Sequence, residues 1–187
     1  MGTEQPYAMK VIKKSQLMNE EHKRRALIEK EIMQVCDSPF IVKLHYTFQT
    51  PKKLYYILDF VNGGELHTKL LKKVKFKESL AKFYAAETLL ALKCLHENNI
   101  LYRDLKPRNI LLDNEGHIKL IDFGLSKIQS GHPDPHKTVC GTPHYVSPDM
   151  LKGVEHNVMM DYWSLGVVVY EMLHGYFPFV NDKIEST

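Results

Sequence analysis

The sequence predicts an α+β fold in two lobes, one spanning residues 1–61 and the other 62–187. Three observations carry this reading. In the first segment, short β-like runs surround a single helical stretch. The run Asn62-Gly63-Gly64-Glu65 then breaks the pattern and marks a boundary. Beyond it, helical periodicities dominate, interrupted by one apolar hairpin.

Taken in order, Tyr7-Ala8-Met9-Lys10-Val11-Ile12 reads as a strand ended by Lys13-Lys14. Asn19 to Cys36 reads as an amphipathic helix. Asn19 is its cap, Glu20 and Glu21 suit the positive N-terminal end, and Leu27, Ile28, Ile32 and Val35 form the apolar face. Ile41 to Phe48 and Leu54 to Phe60 read as antiparallel strands around Thr50-Pro51-Lys52-Lys53. A long helix is expected from Ser79 to His96, apolar at Leu80, Phe83, Tyr84, Leu90, Leu92 and Leu95, with Glu97-Asn98-Asn99 as its stop. Ile110-Leu111-Leu112 and Ile118-Lys119-Leu120 flank Asp113-Asn114-Glu115-Gly116, where a closing glycine favours a hairpin turn. Gln129 to Lys137, with Gly131, Pro133 and Pro135, reads as a mobile loop. Another apolar helix opens at Asp161 and runs to His174.

At 187 residues and 44% hydrophobic composition, the chain is long enough to bury a core. Lys and Arg number 25 against 22 acidic residues, a net charge of +3, too balanced to argue for nucleic acid. The basic run Lys69–Lys75 reads as a solvated helix end or loop rather than a binding patch. Three scattered cysteines, Cys36, Cys94 and Cys140, with no CxxC pair, fit a reducing intracellular compartment, cytoplasmic or nuclear. The ten histidines form no HExxH pattern. No signal peptide or transmembrane segment is expected, and Pro6 stands where a myristoylation motif wants Ser or Thr.

Chemistry concentrates in Tyr102-Arg103-Asp104-Leu105-Lys106-Pro107-Arg108-Asn109 and in Asp122-Phe123-Gly124. Asp104 is able to accept a hydroxyl proton, and Lys106 to neutralise charge on a transferring phosphoryl group. Asn109 and Asp122 offer oxygen ligands suited to Mg²⁺, and the hairpin between them brings the two together.

This constellation resembles the catalytic and metal-binding motifs of serine/threonine protein kinases of the AGC group, where Tyr commonly replaces the motif's His. The resemblance implies a protein-kinase-like α+β fold, with ATP and Mg²⁺ as cofactors and protein Ser or Thr hydroxyls as substrate. It makes Asp104, Lys106, Asn109 and Asp122 catalytic, with Asn109 and Asp122 on the metal. It pairs Lys10, the phosphate-binding lysine, with Glu29 rather than Glu31. Leu58 becomes the residue beside the adenine, Asp59-Phe60-Val61 the crossing segment whose backbone binds the base, and Ala8, Glu65 and Leu111 further nucleotide contacts. Asp161 braces the catalytic loop's backbone. Thr138 is the expected activating phosphosite, served by an upstream kinase and by Arg103, Lys127 and Arg25. Glu65, Arg108, Thr142 and Glu171 are expected at the peptide substrate.

The sequence departs from the family in several places. No G-x-G-x-x-G precedes Lys10, and the chain stops soon after Phe177-Pro178-Phe179, so it matches only the middle of such a domain. Two readings follow: part of an ATP-dependent kinase, truncated at both ends, or a non-catalytic kinase-derived module that binds partners. Ser147-Pro148-Asp149 stands for Ala-Pro-Glu, and Arg108 and His144 each replace a customary Glu.

Overall fold

The computed structural model describes residues 5–129 and 140–179. Strand β1 (Tyr7–Lys13) pairs antiparallel with β3 (Lys53–Asp59), which pairs on its other side with β2 (Leu44–Gln49), giving the order β1-β3-β2. Helix α1 (Glu20–Val35) begins where Asn19 accepts the His22 amide at 2.8 Å, a cap worth about 1 kcal/mol. The Tyr56 hydroxyl donates to the Ala26 carbonyl at 2.9 Å and ties the sheet to this helix.

The inward face of α1 differs from the expected one. Ile32 is buried and Ile28 half-buried, but Leu27 and Val35 are 65% and 53% exposed. The buried set is Ala26, Glu29, Ile32 and Met33, because the helix is rotated to aim Glu29 at the sheet. A carboxylate seeking an ammonium partner overrides apolar periodicity here.

Between α1 and β2, Ile41 bridges in parallel to Leu120, with Val42 N–H donating to the Leu120 carbonyl at 3.0 Å. That stitch joins the first segment to the hairpin of the second. After β3 the chain turns through Gly63, whose amide donates to the Leu112 carbonyl at 2.7 Å. A side chain at Gly63 would collide with the Leu112 and Asp113 carbonyl oxygens, so this close approach requires glycine.

Helices α2 (Leu66–Lys73) and α3 (Glu78–Glu97) follow, the second close to its expected limits. Tyr84, Leu92 and Leu95 are buried as expected, each aliphatic contributing about 1.5–3 kcal/mol. Phe83 and Leu90 are instead 40% and 50% exposed. The small residues Ala81, Thr88 and Ala91 occupy the inner face and let α3 approach its neighbours closely.

Strand β4 (Ile100–Leu101) pairs with β7 (Lys127–Ile128), and β5 (Ile110–Leu112) with β6 (Ile118–Leu120). The β5–β6 turn is the expected hairpin, with Gly116 at φ 92° and the Asp113 carboxylate accepting two amides at 2.9 Å. The short α4 (Pro148–Leu151) precedes α5 (Val158–His174). Helix α5 starts earlier than Asp161 because Asn157 caps it, accepting the Met159 amide at 2.9 Å. It packs on α3 around Val167, Val168 and Met172. Among the described residues, no helix is long and apolar enough to cross a membrane.

The hairpin is pinned to α3 by Glu87. This buried carboxylate accepts the Ile118 amide at 2.9 Å and faces His117 Nδ1 at 2.5 Å. The bond from Glu87 and its charge raise the His117 pKa, with smaller help from Asp113 and Glu115. A raised folded pKa means that His117 stabilises the fold below its unfolded value near 6.5, and that this gain disappears as pH rises through the folded value. In urea titrations, His117→Gln should therefore cost more stability at about pH 6 than at about pH 8.5. Equal losses at the two pH values would show that no proton is linked to this contact.

Candidate active site

The loop joining β4 to β5 carries Tyr102 to Asn109, and its shape is set from α5. The Asp161 carboxylate, 1% exposed, accepts the Tyr102 amide at 2.9 Å and the Arg103 amide at 2.8 Å, with His96 Nε2 at 2.8 Å. These bonds hold Arg103 at φ 67°, a conformation that costs a non-glycine residue about 1–3 kcal/mol. Tyr102, at the motif's His position, is fully buried, and burial pushes its phenol well above the usual value. Its hydroxyl donates to the Ile121 carbonyl at 2.6 Å and fixes the loop to the residue before Asp122.

Asp104 follows, 8% exposed, with three donors on its carboxylate, which leaves an acceptor site on Oδ1. Oδ2 accepts from Lys106 Nζ at 2.7 Å and Asn109 Nδ2 at 3.0 Å, and Oδ1 accepts from the Thr142 hydroxyl at 3.0 Å. Lys106 also donates to Thr142 Oγ1 at 2.8 Å. Asn109 Nδ2 reaches the Asp104 carbonyl too, at 2.9 Å, which turns its amide oxygen away from Asp104. The Ile121 amide donates to the Asn109 carbonyl at 3.0 Å, so the next residue, Asp122, leaves the hairpin beside Asn109. Asp122 is exposed, sits at φ 62° and accepts the Gly124 amide at 3.3 Å.

Across the cleft, Lys10 Nζ meets Glu29 Oε1 at 2.5 Å, while Glu31 is exposed. Beside this pair, a cavity of about 360 Å³ lies between α1 and Gly124-Leu125. Ala8 and Leu58 are register partners in the sheet, and a bridge pairs Glu65 with Leu111. Val61 lies half-buried on the segment connecting those two pairs.

Two sets of contacts had no signal in the sequence. The Asp59 side chain accepts from the Lys43 amide at 3.1 Å, from Lys119 Nζ at 3.2 Å, and faces His45 Nε2 at 2.8 Å. Burial alone would raise this carboxyl, but those donors outweigh it and hold the pKa below the usual value. Glu171, 6% exposed, accepts the Tyr145 hydroxyl at 2.7 Å. Its burial raises the carboxyl, opposed by that bond and by His67 and His144 nearby. Arg108 is exposed, close enough to Tyr145 for its charge to be felt there, and His144 stacks on Phe177 with ring centroids 4.2 Å apart. Thr138 lies outside the described residues.

The donor set suits Mg²⁺, which takes one or two protein oxygen ligands and completes its shell with water and phosphate. Among the described residues, no cluster of three or more His, Cys, Asp or Glu side chains is placed for a different metal.

Asp161 supplies the most exacting stability test. Asp161→Ala orphans the buried Tyr102 amide and the part-buried Arg103 amide, at about 1–3 kcal/mol each. Urea denaturation should show a loss of about 3 kcal/mol or more. A loss below about 1 kcal/mol would mean that the amides find other acceptors.

The family model for the protein kinase domain matches residues 1–187. Among curated relatives, the serine/threonine-protein kinase gad8 of Schizosaccharomyces pombe is 47% identical over 184 residues, 98% of this chain and 32% of its own length. Human ribosomal protein S6 kinase alpha-3 is 52% identical over 183 residues, 98% of this chain and 25% of its own. A RAC family serine/threonine-protein kinase homolog of Dictyostelium discoideum is 47% identical over 185 residues, 98% of this chain and 42% of its own. The chain thus spans between a quarter and about two-fifths of these relatives. With the family model matching residues 1–187 of the chain and these kinases of the AGC group sharing about half of its residues, the chain belongs to the protein kinase domain family.

Proposed function

We propose that this site transfers a phosphoryl group from ATP to a Ser or Thr hydroxyl of a protein substrate. The observation that carries the reading is the Asp104 carboxylate, held between Lys106, Asn109 and Thr142 at 2.7–3.0 Å. Asp104 accepts a hydrogen bond from the incoming hydroxyl, aims its oxygen at the phosphorus, and takes the proton as the new bond forms. Lys106 sets a positive charge where negative charge builds up. Thr142 steadies both.

Asn109 and Asp122 would hold Mg²⁺, which supplies charge neutralisation at the phosphates when bound. Lys10, oriented by Glu29, pairs with the non-transferred phosphates. Ala8, Leu58, Val61, Glu65 and Leu111 enclose the nucleoside, with the Asp59 and Val61 backbones bonding the base. In this reading, residues 1–61 form the nucleotide-side lobe, residues 62–187 form the catalytic lobe, and the protein works inside the cell.

Activation fits the same frame. A phosphate on Thr138, placed by an upstream kinase, carries close to two negative charges and needs cationic partners. Cys140, two residues further on, already lies in the fields of Arg103 and Arg25.

Roles separate by mutation. Asp104→Asn should lower kcat by at least about 10³-fold while ATP still binds, because its carboxylate touches the hydroxyl rather than the nucleotide. Asp122→Asn should instead abolish Mg²⁺-dependent nucleotide binding in calorimetry. Identical binding behaviour in the two variants would refute this division.

Substrate choice follows from charge. Glu65 selects an arginine three residues before the target. The corresponding preference two residues before the target is lost or reversed, because Arg108 brings positive charge beside the pocket of Glu171, His144 takes the place of an acidic group, and Tyr145 already engages Glu171. In a positional peptide library, Arg108→Glu should gain arginine preference there by about tenfold, the equivalent of about 1.4 kcal/mol. Strong arginine preference at that position in the unmutated enzyme would overturn the assignment.

A further inference from the structure

The basic run Lys69–Lys75 reads from sequence as a solvated helix end or loop, and the structure places Lys73 at the last turn of α2, with Lys77 two residues beyond the run. The apolar residues in it do not fit that simple picture. Leu71, in the last turn of α2, is 69% exposed, and Val74, the residue that ends the helix, is 67% exposed. Around them Lys72, Lys73, Lys75 and Lys77 are all exposed. Among the described residues, none of these four lysines has an ion-pair partner, and the nearest acid in sequence is Glu78.

The segment is held rigidly in this form. Leu70 and Phe76 are buried on either side of it, at 4% and 6% exposure, and the Phe76 amide donates to the Met172 carbonyl at 2.7 Å. Val74 sits at φ 65°, a strained conformation for a β-branched residue. Its carbonyl packs so closely against Gly175 that a side chain there would collide with it. Next to Gly175, Tyr176 is 58% exposed, an amphipathic ring of the kind found at membrane surfaces. The fold thus holds two exposed apolar side chains in a short strained segment whose four exposed lysines have no ion-pair partner among the described residues.

We infer that this knuckle is a docking surface for an anionic lipid bilayer, independent of phosphoryl transfer. The lysines complement acidic headgroups, and Leu71 and Val74 enter the interface between headgroups and acyl chains. Nucleic acid fits less well, since stacking platforms rather than aliphatic tips accompany lysines in that role and no aromatic side chain in the run is exposed.

The test is sedimentation of the chain with lipid vesicles. Vesicles containing phosphatidylserine in phosphatidylcholine should bind it at least about tenfold more tightly than pure phosphatidylcholine, and salt should weaken that binding. At roughly fivefold per lysine, replacing Lys72, Lys73, Lys75 and Lys77 with Gln should weaken it by on the order of a hundredfold or more. Leu71→Ser with Val74→Asn, the second tolerant of positive φ, should weaken it several-fold without removing the salt dependence. All of these side chains are exposed, so each variant should keep the unmutated far-UV spectrum, which is checked alongside. The inference is overturned by equal binding to neutral and anionic vesicles, by unchanged binding of the lysine variant, by unchanged binding of the Leu71/Val74 variant, or by tighter binding to single-stranded RNA at matched phosphate concentration.

Discussion

The catalytic loop keeps its shape because a buried carboxylate on α5 reaches its backbone. Asp161 is almost wholly removed from water, a costly position for a charge unless donors surround it. Two amides of the loop and the His96 ring provide them. The exchange works both ways, since those bonds also hold Arg103 in a conformation it would not choose alone. With that residue fixed, Tyr102 turns inward to the hairpin and Asp104 turns outward to Lys106, Asn109 and Thr142. One side chain therefore sets the spatial relation between the hairpin and the reacting groups.

The first segment reaches this site by two kinds of contact. One is backbone, through the bridge of Ile41 to Leu120 and the bonds that Leu120 makes with Val42 and Phe40. The other is charge, through Lys119 of the hairpin and the Asp59 carboxylate. Backbone contacts set position, whereas the charged ones respond to solvent conditions and to bound anions.

Much of this was legible in the sequence. Alternation located β1 and β3, the apolar spacing located α3, and the closing glycine located the hairpin within a residue or so. The local motif named Lys106 and Asn109 beside Asp104 because they stand two and five residues from it, whereas Thr142 arrives from a distant segment. The face of α1 was misread at Leu27 and Val35 because Glu29, a charged residue, takes an inward position that hydropathy gives to leucine or valine. Phe83 and Leu90 were misread for a complementary reason: α3 buries alanine and threonine where close helix approach excludes larger groups. The pairs Asp59–Lys119, Tyr145–Glu171 and Glu87–His117 join residues far apart in the chain, and no local pattern announces such partners.

The carboxylate of Asp59 gives the crossing between the two segments a mechanical character. One of its partners, Lys119, is a permanent cation on the hairpin of the second segment, and another, His45, becomes a cation only on protonation. The joint therefore behaves as an electrostatic spring whose stiffness is tunable. Dissolved salt softens it by screening Lys119. The hold between the two segments thus inherits a sensitivity to ionic strength from a side chain that lies outside the cluster around Asp104.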